Sequence, residues 1–261
     1  MCRKHHGTFH STLLAAEKAN FRFLQGEDAI VHYRSSDAFF ERPFCKHCGS
    51  KVPDVSGEHV GIPAGSIEGD LAVQPRTHIF VAHKSPMESI TDTLNGFDNY
   101  PPGFGNAVPA PENPEVHSPG VHGSCLCGDV AFVIDWTPTK IVQCHCSRCR
   151  RSRGTAHGVN TFVAQDKLRF TRGTEKIKTF RLPNASRYST SFCLHCGSLL
   201  PSLTPSLGIY VVPVGSLDTP FQVQSAVNIY VASRANWFSI TNPYPQFDEL
   251  PPREWLADLL L

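Results

Sequence analysis

A mainly β fold, built twice over, is what the sequence predicts, and three observations carry that reading. Short runs rich in β-branched and aromatic residues recur, each about the length of one strand. No apolar period of 3.6 residues runs long enough for an extended helix; only a helical turn after Cys149 fits. The third observation is self-similarity. Cys149-Arg150-Arg151-Ser152-Arg153-Gly154-Thr155-Ala156-His157 repeats Cys2-Arg3-Lys4-His5-His6-Gly7-Thr8-Phe9-His10 at an offset of 147. The offset is 148 at Phe192-Cys193 against Phe44-Cys45, and 150 at Pro213 and Gly215 against Pro63 and Gly65. Small loop insertions produce such drift. With about 100 residues per copy the period is too long for a solenoid, so each copy is expected to be a domain.

In chain order, the first copy occupies residues 1–100. Residues 101–121 are dense in proline and glycine, which oppose helix and sheet alike, and read as a semi-extended linker. The second copy spans 122–250. Within it residues 129–136 read as a strand, and 167–170 and 176–181 as two strands of a hairpin turning at Arg172-Gly173-Thr174. Residues 221–224 and 227–231 alternate as strands do. A tail, 251–261, ends in a stretch that fits one short helix or a docked terminal segment.

Composition excludes several function classes. The 261 residues carry 24 Lys+Arg against 23 Asp+Glu, a formal charge of +1, which argues against a polyanion binder working by bulk charge. No aromatic residues interleave the run Arg148, Arg150, Arg151 and Arg153 to stack bases, so nucleic acid is an unfavoured partner. Apolar runs are too short to cross a bilayer, and the basic start lacks the apolar core of a secretion signal. A reducing, cytoplasmic setting follows as the expectation. Oligomeric state is left open.

Ten cysteines, at 2, 45, 48, 125, 127, 144, 146, 149, 193 and 196, remain to be explained. An even count allows five disulfides, but a reducing compartment disfavours them. Cys125-Leu126-Cys127, Cys144-His145-Cys146, Cys193-Leu194-His195-Cys196 and Cys45-Lys46-His47-Cys48 place sulfurs one or two residues apart. Such neighbours bond to each other only with strain, yet converge readily on one metal. In the second copy Cys125, Cys127, Cys193 and Cys196 suit a closed, structural tetrahedral zinc site. Cys144, Cys146 and Cys149 supply three thiolates and leave a fourth position open, the arrangement of catalytic zinc. Three thiolates on a divalent ion leave a net charge of −1. That weakens ionisation of water and favours a soft sulfur ligand, so a substrate thiol attacking a small aldehyde is the chemistry expected. Arg148 and Arg150 are candidate contacts for such a thiol substrate, with a solvated basic face as the alternative. His145 and His195 lie inside ligand motifs and are expected to point away from metal; His157 reads as a polar supporting residue rather than a base.

The pattern Gly123-Ser124-Cys125-Leu126-Cys127-Gly128, then Cys144-His145-Cys146-Ser147-Arg148-Cys149, then Phe192-Cys193-Leu194-His195-Cys196-Gly197-Ser198 resembles the glutathione-dependent formaldehyde-activating enzyme family. Centromere protein V falls in the same grouping. The resemblance covers residues 122–240 well and 2–100 more weakly. It implies a zinc-binding, β-tent-like fold with a four-cysteine structural zinc and a three-cysteine active zinc on the residues just named. It also implies carbon–sulfur lyase-type activity, joining glutathione to formaldehyde as S-hydroxymethylglutathione. Two zinc ions per chain are expected, both in the second copy. The first copy departs from the pattern: it has Cys2, Cys45 and Cys48 without the partners of either site, and reads as degenerate or truncated, with a half-site completed by His5 or His6 as the alternative. Asn228 stands where the family commonly has His and where the first copy has His78. The competing function is a non-enzymatic zinc module that binds protein or nucleic acid.

Overall fold

In the computed structural model, residues 1–35, 41–103, 119–185 and 188–252 are described. Most of the expected linker and nearly all of the tail, including its possible helix, lie outside the described residues. All ten cysteines are free thiols. The chain is mainly β, and its strands form several small sheets.

The largest sheet has five strands and belongs to the second repeat. Its centre is Lys140–Cys144, flanked by antiparallel Gly158–Ala164 and parallel Ser225–Ile229, with Ile209–Pro213 and Ser202–Thr204 continuing beyond Gly158–Ala164. Gly158–Ala164 is buried along nearly its whole length, as a strand covered on both faces is. Among the described residues Leu13–Glu17, its counterpart in the first repeat, pairs only with His59–Pro63 and alternates between exposed and half-buried, so that Leu13 stands 55% exposed. The first repeat is thus a reduced version of the second.

Two three-stranded sheets complete the second repeat: Leu168–Arg172, Ala131–Ile134 and Val121–Ser124 in one, Ile177–Arg181, Ser189–Cys193 and Leu199–Leu200 in the other. Both strands expected around Gly173 exist, but they do not form a hairpin. Gly173 takes a left-handed conformation, φ 74°, and opens a 3₁₀ turn, Thr174–Lys176. The turn sends one strand to Ala131–Ile134 and the other to Ser189–Cys193, because each partner offers a buried apolar face. Residues 221–224 form no strand; pairing with Lys140–Cys144 begins at Ser225.

The repeats are related residue by residue. Helix α1, Cys2–His6, and helix α2, Ser147–Arg153, end at Gly7 and Gly154, both left-handed. Phe80 and Tyr230 share the uncommon positive φ, 57° and 56°. Contacts between the repeats are reciprocal. Helix α1 packs on the 3₁₀ turn Val214–Ser216 of the second repeat, and α2 on Ala64–Ser66 of the first. Neither turn has room for a side chain at its glycine. A Cβ on Gly215 would strike the backbone of Arg3 and Thr8, and one on Gly65 the backbone of Arg150 and Thr155. Likewise Phe192 covers Gly49 while Phe44 covers Gly197, with the two rings 6.1 Å apart. His6 Nδ1 donates to the Arg153 carbonyl at 2.5 Å, and Arg153 Nη1 returns a bond to the Gly7 carbonyl at 2.5 Å. Phe9, Tyr33 and Phe44 join Phe132, Ile134, Phe192 and Val212 in one apolar core.

Helix α2 therefore rests on the first repeat. Gly65→Ala is expected to cost about 3 kcal/mol, since the new methyl meets backbone that cannot rotate away. Urea unfolding measures this, and an unchanged midpoint would refute the seating described.

Candidate metal centres

Strand Val121–Ser124 runs into a tight turn that returns the chain to Val130: Cys125 N donates to the Val130 carbonyl, and Val130 N donates to Cys125 Sγ at 3.3 Å. Strand Ser189–Cys193 leads into a second turn, in which Gly197 N bonds the Cys193 carbonyl and Cys193 N the Ser198 carbonyl. Ser198 Oγ accepts from Leu126 N at 3.0 Å and ties the two turns together. As a result the sulfurs of Cys125, Cys127, Cys193 and Cys196 lie within 4.8 Å of one another. Cys127 is half-buried and the other three buried. Four sulfurs facing one point leave no open position. His195 turns outward, donating from Nδ1 to Asp129 Oδ2 at 3.1 Å beside the Lys176 ammonium. Cys127, Asp129 and His195 form a further group of potential ligands at the rim.

The second cluster sits at the carboxyl end of the parallel pair Lys140–Cys144 and Ser225–Ile229. Cys144 ends the central strand. Cys146 caps α2, its Sγ accepting from Cys149 N at 3.4 Å, and Cys149 follows on the helix's first turn. These three sulfurs also lie within 4.8 Å of one another. Phe162, Tyr230 and Phe247 pack around Cys144, Val142, Val227 and Ile229. Beside the cluster, Arg148 is exposed and its carbonyl accepts from the Tyr188 hydroxyl at 3.0 Å. Arg150 is half-buried, feels the Cys146 sulfur, and has Nε buried with no hydrogen-bond partner.

His145 points away from the sulfurs, into the fold. Its Nε2 donates to Asn228 Oδ1 at 3.0 Å; Asn228 Nδ2 donates to Asn242 Oδ1, and Asn242 Nδ2 to Gln143 Oε1. This chain of amides fixes the backbone between Cys144 and Cys146. His157 stacks on His145 with centroids 4.9 Å apart, and His10 of the first repeat meets His157 at 5.9 Å while donating to Glu88 at 2.5 Å. His78 and Asp92 of the first repeat stand at the positions of Asn228 and Asn242 and are hydrogen-bonded to each other at 2.9 Å. Sequence spacing could not join residues so far apart, although Asn228 stood out as a departure from the resemblance.

Both clusters fit a metal ion on an observation independent of their spacing. Two cations are buried nearby, Arg153 at 7% exposure and Lys51 at 1%. Their hydrogen-bond partners are neutral: Gly7 O and Asn160 Oδ1 for Arg153, Gly49 O and Gly197 O for Lys51. Burial pushes the Lys51 ammonium down to about 7 against the opposing pull of Cys196 and Cys48. Burial lowers Arg153 too, with Cys149 first among the groups pulling it back. Buried cations of this kind need anions to offset their desolvation. Within each cluster, hydrogen bonds from neighbouring thiols favour the thiolate at Cys146 and at Cys196. A bound metal would take the place of those protons and ionise the whole set.

In the first repeat Cys45, Cys48 and Ser50 keep the turn geometry of their counterparts, with Gly49 N on the Cys45 carbonyl. Among the described residues, Cys2, Cys45, Cys48, His5 and His6 join no convergent ligand group.

The sequence model of one family, described as glutathione-dependent formaldehyde-activating enzyme, matches residues 1–83 and 120–233. The chain belongs to this family. Its two matched regions agree with the tandem repeat, and the second contains both cysteine clusters. No curated protein matches the chain. Among solved structures, a Rhodobacter sphaeroides protein is similar at 25% identity, over 38% of this chain and 90% of that one, with a TM-score of 0.33. Among the described residues no helix is long and apolar enough to cross a membrane. Formaldehyde-activating enzymes are thus the frame in which the clusters are read below.

Proposed function

We propose that the chain is a zinc-dependent carbon–sulfur lyase-type enzyme that joins a glutathione-like thiol to a small aldehyde such as formaldehyde, in a reducing setting such as the cytoplasm. The observation that carries this reading is the pair of unequal clusters, one closed with four sulfurs and one with three. Cys125, Cys127, Cys193 and Cys196 hold a structural zinc; Cys144, Cys146 and Cys149 hold the active one, two ions per chain. When bound, the active zinc supplies a position that favours a soft sulfur ligand in its ionised form.

The chain's own residues do the rest. Asn228, Asn242 and Gln143 hold the Cys144–Cys146 backbone through His145, so the three sulfurs keep one geometry. The exposed Arg148 and the half-buried Arg150 flank the cluster and are the candidate partners for carboxylates of a thiol substrate. Phe162, Tyr230 and Phe247 bound the site with apolar surface and keep water from competing. In the reaction a carbon–sulfur bond forms, the thiol proton passes to the carbonyl oxygen, and nothing is oxidised or reduced. Purified, zinc-loaded protein is expected to form the glutathione–formaldehyde adduct faster than the spontaneous reaction. A rate equal to the spontaneous one with glutathione and other common thiols would overturn the proposal.

A further inference from the structure

The two zinc-type turns, one in each repeat, meet across the interface between the copies, and one residue lies between them. Lys51 is almost completely buried, a rare state for a lysine. Its Nζ donates to Gly49 O at 2.9 Å and Gly197 O at 2.5 Å, the carbonyls directly after Cys48 and Cys196. Phe44 and Phe192 close the space around the two glycines. In the second repeat the equivalent residue is Leu199, also buried. Only the first repeat, which has no second cysteine pair, places a cation here.

A lone buried ammonium bonded to two carbonyls costs several kcal/mol unless an anion offsets it. The acceptor on the second repeat, Gly197 O, belongs to the residue directly after Cys196, one of the four ligands. Four thiolates around a divalent ion carry a net charge of −2. The cation therefore belongs to the first repeat and its anion to the second.

We propose that Lys51 is the internal counter-cation of the four-cysteine zinc site, so that zinc held by the second repeat and docking of the first repeat stabilise each other. This inference rests on the zinc reading of Cys125, Cys127, Cys193 and Cys196. Linkage makes the effect reciprocal: removing the charge weakens zinc binding, and removing zinc loosens the first repeat. The first repeat then serves as a permanent subunit that completes a metal site held by the second.

The test uses the full chain carrying Cys146→Ser, which leaves the four-cysteine site as the one to be titrated. Zinc is competed against a chromophoric chelator in this chain with and without Lys51→Met, which keeps an unbranched side chain one atom shorter and drops the charge. Zinc is expected to bind about 10–100-fold more weakly to the Lys51→Met chain, the usual effect of losing a supporting partner. Equal affinities would overturn the clasp and leave the zinc reading standing; a parent chain that binds no zinc would overturn both. Should the variant fail to fold, amide exchange on the unsubstituted chain decides. Zinc loading is expected to slow exchange at Cys45 and Gly49, the amides of the first repeat's turn, and no change there would refute the linkage.

Discussion

Replacing Cys146 by serine is expected to remove one of two zinc ions per chain and to reduce thiol–aldehyde adduct formation to its spontaneous rate, with the fold intact. Cys146 stands at the centre of the open cluster: its sulfur caps α2 and lies within reach of both Cys144 and Cys149. Serine still caps the helix. What it removes is the third soft ligand, and two remaining thiolates hold zinc far more weakly. The four-cysteine cluster shares no residue with this one, so the fold keeps its metal. Unfolding by urea is expected to show a midpoint close to that of the parent. A Cys146→Ser protein with two zinc ions and full activity would place the reaction elsewhere.

Cys196→Ser is expected to act in the opposite way, on the fold before the chemistry. Structural zinc supplies about 10–16 kcal/mol in small zinc peptides, whereas a whole domain is stable by about 5–15 kcal/mol. Losing most of that term exceeds what the thin sheets around the site contribute. The second repeat is expected to lose cooperative unfolding, and activity is expected to fall with it even though Cys144, Cys146 and Cys149 are untouched. The first repeat is expected to follow, because Phe44 packs on Phe192 and Lys51 is bonded to the carbonyl directly after Cys196. Near-UV circular dichroism against urea reads the outcome. A sharp transition at the parent's midpoint would show that the four-cysteine cluster is not a structural centre.

Most strands of the second repeat and the membership of both cysteine clusters were legible in the sequence, because β-branched runs favour strands and closely spaced cysteines favour a shared metal. Yet 221–224 form no strand, and Cys45 and Cys48 join no ligand group among the described residues. The hairpin at Gly173 was misread for a related reason. Alternation reveals a strand but not its partner, and the partner here is set by buried faces at Ala131–Ile134 and Ser189–Cys193. The histidine–amide network and the interlock of the repeats were beyond local reading. His145 meets Asn228 across 83 residues, and Lys51 meets Gly197 across 146. Nothing in the local sequence around Lys51 marks it for burial, which the fold imposes by packing the two repeats together. The repeat was visible in the sequence, whereas the dependence of each copy's helix on the other's glycine turn was not.

Metal content of the purified full chain, measured by elemental analysis against protein concentration, tests the central claim most directly. Two zinc ions per chain are expected, falling to one when any one of Cys144, Cys146 and Cys149 is replaced by serine. No bound zinc, or three or more ions per chain, would contradict the division of the cysteines into four, three and three.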